Sequence, residues 1–134
     1  MKIQPLLKPK RRKKSERQKL VDKCDKLWKQ IIWEQAKYHC EYCGCESKQA
    51  HHIYTRSKFN TRWTLANGIN LCPLHHTLGN FSAHKTPRAF LRWLEDLRGK
   101  EWLDRLEISS EMSGKGTDLR MVKIYLEQEI KKLN

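Results

Sequence analysis

Cys40 and Cys43 form a C-x-x-C pair, and further along the chain Cys72 and His75 repeat the interval as C-x-x-H. Each interval lets two donors from one tight turn reach the same ion, and four soft or borderline donors suit tetrahedral Zn²⁺. Gly44 directly follows the first pair and gives the knuckle a residue that turns sharply without steric cost. Cys45 is a substitute for His75 as the fourth ligand, although it stands very close to Cys43. Between the two pairs lies a second chemical set: adjacent His51 and His52, then Asn67, then His76 next to His75. Imidazoles that titrate near neutrality serve as general bases or as metal ligands. The chain has five cysteines and no apolar leader in its start MKIQPLLKPKRRKK, which argues against a disulfide framework.

These residues need elements to hold them. Ser15 with Gln18 makes a capping box, and a helix is expected from there to about His39. Leu20, Cys24, Leu27, Trp28, Ile31 and Ile32 recur along it at helical spacing, so Cys24 belongs to a buried stripe. Short strands are expected over Gln49–Tyr54 and Gly68–Leu71, with a short helix after Pro73. Thr86 as cap, Pro87 at the first helical position and Gly99 at the end bracket another helix, whose apolar face includes Phe90, Trp93 and Leu94. A brief helical piece, Glu101 to Leu106, and a flexible connection, Ser109 to Gly116, lead to a last helix from about Asp118 to Lys132. That helix aligns Leu119, Val122, Leu126 and Leu133 on one side. The organisation expected is a basic flexible tail over 1–14, a motif-bearing unit over 15–108, the connection 109–116 and a C-terminal amphipathic helix over 117–134.

Charge narrows the partner. Lys and Arg number 28 against 15 Asp and Glu, a formal +13 spread along 134 residues. A positive field of that size gathers polyanions, and nucleic acid fits it better than an acidic membrane or a ribosome-like assembly. Arg56, Lys58 and Arg62 fall in the loop between the two strands, where backbone phosphates would pass. No apolar run is long enough to cross a bilayer, and a cytoplasmic location is expected. His39 and His84 read as surface or packing residues, with His84 able to lend a ligand.

Cys40-x-x-Cys43, "AHHI", Asn67 and "LCPLHH" together closely resemble the HNH nuclease superfamily, whose ββα-metal finger is supported by a zinc knuckle. The match rests on His52 at the end of the first strand, Asn67 five positions before Cys72, and His76 at the start of the finger helix. The wider pattern looks like the phage NinG/Rap recombination endonucleases. It shares the helix leading into "CEYCG", the segment "FNTRWTLAN" and the "LGN" ending, over about residues 18 to 107. Where the superfamily usually has a last knuckle cysteine this chain has His75, and where the branch has an aspartate it offers Gln49 and His51.

The resemblance implies an α+β fold: a small ββα-metal finger with a structural zinc, flanked by an N-terminal helix and C-terminal helices. It implies a DNA endonuclease in which His52 is the general base and Asn67 holds the strand-linking loop. His51, His76 and Asn80 would be ligands of a catalytic Mg²⁺ or Mn²⁺, and the products would carry 5′ phosphate and 3′ hydroxyl. Branched or recombination-intermediate DNA is the implied substrate, the host cytoplasm the implied location if a phage encodes the chain, and a homodimer a further expected state. Two rivals remain: a duplex-cutting restriction-like or packaging-associated HNH enzyme, and a non-catalytic zinc module that only binds nucleic acid.

Overall fold

The Ser15 hydroxyl accepts a hydrogen bond from the Gln18 amide at 3.1 Å and so opens helix α1, Glu16–Gln35. The computed structural model describes residues 2–134; the Lys/Arg segment before Ser15 has no regular element and is exposed, and Met1, the first residue of the expected tail, lies outside the described residues. α1 stops short of His39 because Lys37 and Tyr38 take φ of 53° and 58°, in the left-handed region that no helix continues through. The chain then doubles back through an isolated antiparallel bridge between His39 and Glu46.

Strand β1, Ala50–His52, pairs antiparallel with β2, Gly68–Asn70, in the register Ala50↔Asn70, His51↔Ile69 and His52↔Gly68. The loop joining them carries a short helix, α2, Phe59–Arg62, and a single tight turn, Leu65–Asn67. After β2 comes a widened helical turn, Leu74–Leu78, in which the Gly79 amide reaches back five residues to the Leu74 carbonyl at 2.7 Å. Helices α3, Pro87–Arg98, α4, Lys100–Glu111, and α5, Leu119–Leu133, complete the order. The fold class is α+β, with one two-stranded antiparallel sheet among helices. No helix among the described residues is long and apolar enough to cross a membrane.

Two parts of the expected organisation are corrected. Residues 109–111 are not linker but the last turn of α4, where the buried Ser110 hydroxyl donates to the Glu107 carbonyl at 2.7 Å. The Asn60 side-chain amide donates to the carbonyls of Ser109 and Met112, pinning the start of the connection to α2. Nor is α5 a unit apart. Its Leu119 and Leu126 enter one core with Trp28, Ile31 and Ile32 of α1 and with Trp63. Each such side chain contributes about 1.5–3 kcal/mol by leaving water. A second core, Ile69, Leu71, Phe90 and Leu94 with the sulfurs of Cys40 and Cys72, lies under the finger.

Gly68 marks where the helix meets the sheet. A Cβ there would overlap the Ile32 side chain and stand 2.7 Å from Cζ2 of Trp28. Gly68→Ala is therefore expected to destabilise the protein by about 1–3 kcal/mol through overpacking, read as a lower urea midpoint. An unchanged midpoint would mean that α1 is not seated on β2 as described.

Candidate metal centres and active-site cleft

Backbone geometry builds the first centre. Gly44 adopts φ of 81°, its amide donates to the Cys40 carbonyl at 2.8 Å, and the Cys40 amide donates to the Cys45 carbonyl at 2.7 Å. This turn presents Cys40 and Cys43 to Cys72 and His75, and the four donor atoms lie within 4.8 Å of one another. Tetrahedral Zn²⁺ requires S···S edges of ~3.8 Å and S···N edges of ~3.6 Å. The Cys43–Cys72 sulfurs are 3.8 Å apart, and His75 Nδ1 stands 3.1 Å from the Cys72 sulfur and 4.0 Å from that of Cys40. The cluster can hold one metal ion such as zinc. Cys45 is exposed, 3.3 Å from the Cys43 sulfur, and it is His75 that completes the four-donor set.

Asn70, which the sequence reading passed over, fastens this knuckle to the sheet. Fully buried, it accepts from the Gln49 amide at 2.9 Å and donates to the carbonyls of His39 and Ser47 at 3.0 and 2.9 Å. Its own amide donates to the Glu41 carboxylate at 2.7 Å, and Arg98 of α3 grips the same carboxylate at 3.2 Å.

The second centre is made of imidazoles. His51 on β1, His76 in the widened turn and His84 bring ring nitrogens within 4.8 Å of one another. His84, read from sequence as a surface or packing residue able to lend a ligand, is the third member. Asn80 is not: it is exposed and lies outside the cleft that the three rings border. The expected position, one helical turn past His76, does not exist, because the helical turn ends at Leu78 and Gly79 is extended at ψ 162°. The chain instead returns, and the amides of Ala83 and His84 donate to the carbonyls of His75 and His76 at 2.9 and 3.1 Å.

Protonation fits ligation. His76 Nδ1 donates to Gln49 Oε1 at 2.9 Å, leaving its Nε2 to face His84 Nε2 at 3.2 Å. Two ring nitrogens that face one another so closely need a proton or a cation between them. Burial, then the neighbouring His76 and His84, pushes His51 down to about 3, and burial with His84 lowers His76. Neutral imidazole is the form that ligates metals.

His52 is held differently. Its ring stacks on Trp28 at 3.9 Å and 11°, and its Nε2 lies 3.0 Å from the main-chain carbonyl of Arg62. A carbonyl only accepts, so Nε2 carries the proton and Nδ1 keeps its lone pair. Burial pushes its pKa down to about 4. His51, His52, His76 and His84 all border one cleft of about 670 Å³, with Lys29 and Arg56 also in its walls.

Asn67 is fully buried, accepts from the Tyr54 amide at 2.7 Å and donates to the carbonyls of Tyr54 and Thr61 at 3.1 and 3.0 Å. It thereby ties both ends of the loop that leaves β1. The three loop cations expected to meet phosphates separate. Arg56 borders the cleft with its side chain 62% exposed and pairs with Asp25 Oδ2 at 3.5 Å, while exposed Lys58 faces another groove beside the Ser110 carbonyl. Arg62 is a correction: its guanidinium turns inward and binds the Asp25 carboxylate through Nε at 3.1 Å and Nη2 at 2.7 Å. Lys29 takes a place on the cleft, one helical turn after Asp25 on α1. Comparison with family models, with curated proteins and with solved structures finds no match for the chain.

Proposed function

We propose that the chain is a metal-dependent DNA endonuclease that hydrolyses phosphodiester bonds by an HNH one-metal mechanism. The observation that carries this reading is the meeting, in one cleft, of a tautomer-fixed His52 with the three-imidazole cluster of His51, His76 and His84. His52 Nδ1 takes the proton of the attacking water. Lys29 and Arg56 on the rim hold the phosphate in line, and Asn67 keeps the loop that carries Arg56 in place. His51, His76 and His84 would hold a divalent ion, which would supply stabilisation of the negative charge that develops on the phosphate. Cys40, Cys43, Cys72 and His75 would hold a structural zinc, which would brace the turn that bears His76.

Imidazole donors suit Mn²⁺, Ni²⁺ or Zn²⁺ better than Mg²⁺, which favours oxygen ligands. Of the two ions expected, Mn²⁺ is the one this donor set supports. Branched or recombination-intermediate DNA, a phage recombination role and a cytoplasmic site of action go with the resemblance to the NinG/Rap endonucleases. A duplex-cutting HNH enzyme is the second reading within the class.

The test is cleavage of linear, nicked and four-way-junction DNA with Mn²⁺ or Mg²⁺. A protein that binds all three yet cuts none under either ion would be the non-catalytic zinc module instead. Within the same assay, His84→Ala is expected to weaken Mn²⁺ binding and lower cleavage by at least about tenfold, as loss of a direct ligand exceeds that of an outer partner. Asn80→Ala should change neither. The reverse pattern, with Asn80 needed and His84 dispensable, would refute the three-imidazole assignment.

A further inference from the structure

We propose that Asp25, on the helix preceding the finger, is a positioning residue that sets the tautomer and aim of the His52 ring through Arg62. The proposal rests on the reading of His52 as the base. Asp25 is 9% exposed and its two carboxylate oxygens receive the inward-turned guanidinium of Arg62 in a fork, with the indole Nε1 of Trp63 donating at 2.8 Å and the more exposed Arg56 pairing with Oδ2 at 3.5 Å. The two partners adjoin in sequence at the end of α2. The carbonyl belonging to the same Arg62 is the acceptor for His52 Nε2 at 3.0 Å. Asp25 thus anchors the side chain of the very residue whose carbonyl holds the His52 ring.

A second hold comes from the same face of α1. Trp28 follows Asp25 by three residues, which puts both on one side of the helix. It covers the flat face of His52 and donates its Nε1 to the Thr64 carbonyl at 3.0 Å, one step past Trp63. α1 thus grips the ring's edge through one residue and its face through the other. α2 spans only four residues; its own bond from the Arg62 amide to the Lys58 carbonyl and the Asn67 bond to the Thr61 carbonyl hold the peptide on the N-terminal side of Arg62, and Asp25 holds its side chain.

A carboxylate here is hard to explain by packing. A buried ion pair is weak evidence for stability, since apolar residues of similar volume hold a core as well or better. What the charged fork adds is direction, because bidentate Arg–carboxylate bonds fix both orientation and distance. Burial opposes the ionised form of Asp25, but the bonds from Arg62 and Trp63 outweigh it and keep its pKa below the usual carboxylate value. If the Arg62 carbonyl moves away, the His52 ring is free to carry its proton on Nδ1, and that nitrogen no longer accepts one from water.

The experiment is ¹⁵N spectroscopy of the His52 ring in the zinc-loaded full chain, beside kcat and KM on supercoiled plasmid with Mn²⁺, for wild type and Asp25→Asn. Wild type is expected to show one tautomer, protonated at Nε2. Asp25→Asn should show a mixture, with kcat down about 10- to 100-fold and KM within about twofold, the pattern of a lost transition-state alignment. A folded Asp25→Asn with an unchanged tautomer and kcat would overturn the proposal, as would wild type protonated at Nδ1. If Asp25→Asn fails to fold, Trp63→Phe, which removes the indole donor while keeping an aromatic ring in the core, should move tautomer and kcat in the same direction by less; no movement of either overturns it. If wild type cuts no DNA, the nuclease reading falls on its own, and the ring spectra alone decide whether Asp25 sets the tautomer.

Discussion

His52→Ala is expected to lower DNA cleavage about 10²–10⁴-fold, the contribution of a positioned general base, while DNA affinity stays within about twofold. Two features of the ring set this expectation. Its Nε2 is occupied by the Arg62 carbonyl, so Nδ1 is the only nitrogen left to accept a proton from water. Its face is covered by Trp28, which keeps the ring from tumbling. Alanine removes the base but none of the cluster formed by His51, His76 and His84. It also leaves the Arg62 carbonyl without a donor and a gap beside Trp28, which costs about 1–3 kcal/mol of stability. The assay must therefore run well below the variant's melting temperature, as single-turnover cleavage with parallel binding measurements. Cleavage at the wild-type rate would end the proposed mechanism.

Removing the metal from the Cys40, Cys43, Cys72 and His75 set should have the largest effect on the fold. Apparent zinc binding in small fingers is worth about 10–16 kcal/mol near neutral pH, more than a domain's usual net stability of about 5–15 kcal/mol. The sheet beside the cluster is small, since each of its strands has three residues. Cys40 and Cys72 are core residues as well as donors, 2% and 5% exposed, and share a cluster with Ile69 and Leu71. Chelation, or Cys72→Ala, is expected to abolish the near-ultraviolet signal of Tyr42 and Trp93, whose rings pack edge to face 4.8 Å apart beside His75. Much of the helical signal should survive, because α1 and α5 bury Trp28, Ile31 and Leu126 in a separate cluster. One thermal transition, unmoved by chelator and with no metal found by elemental analysis, would exclude a structural ion.

What could be read in advance was local. Cys40 with Cys43 and Cys72 with His75 were legible because three-residue intervals fix donor proximity within a single turn. Ser15, Pro87 and Gly99 announced helix ends for the same reason. The rest depended on the chain returning to itself. Nothing near His84 in sequence says that its amide will dock on the His76 carbonyl, so the more local Asn80 was preferred. Arg62 looked like a free cation because its partner, Asp25, stands 37 positions away on α1. α4 read as shorter because Ser110 near its end is polar by type yet buried, its hydroxyl satisfied within its own helix.

The widened turn Leu74–Leu78 has a thermodynamic consequence. It directs two successive residues, His75 and His76, into different donor sets, so a single peptide plane is a wall shared by both. A backbone shift at that peptide would move the Cα atoms of both residues together. Under the proposed function, an ion in one set and an ion in the other would act as heterotropic effectors across that shared amide. Such linkage is reciprocal: whatever factor the thiolate-bound ion adds to affinity at the imidazoles, an ion at the imidazoles returns to the thiolates. The chain would thus register its zinc supply as catalytic readiness, through a lever one residue long.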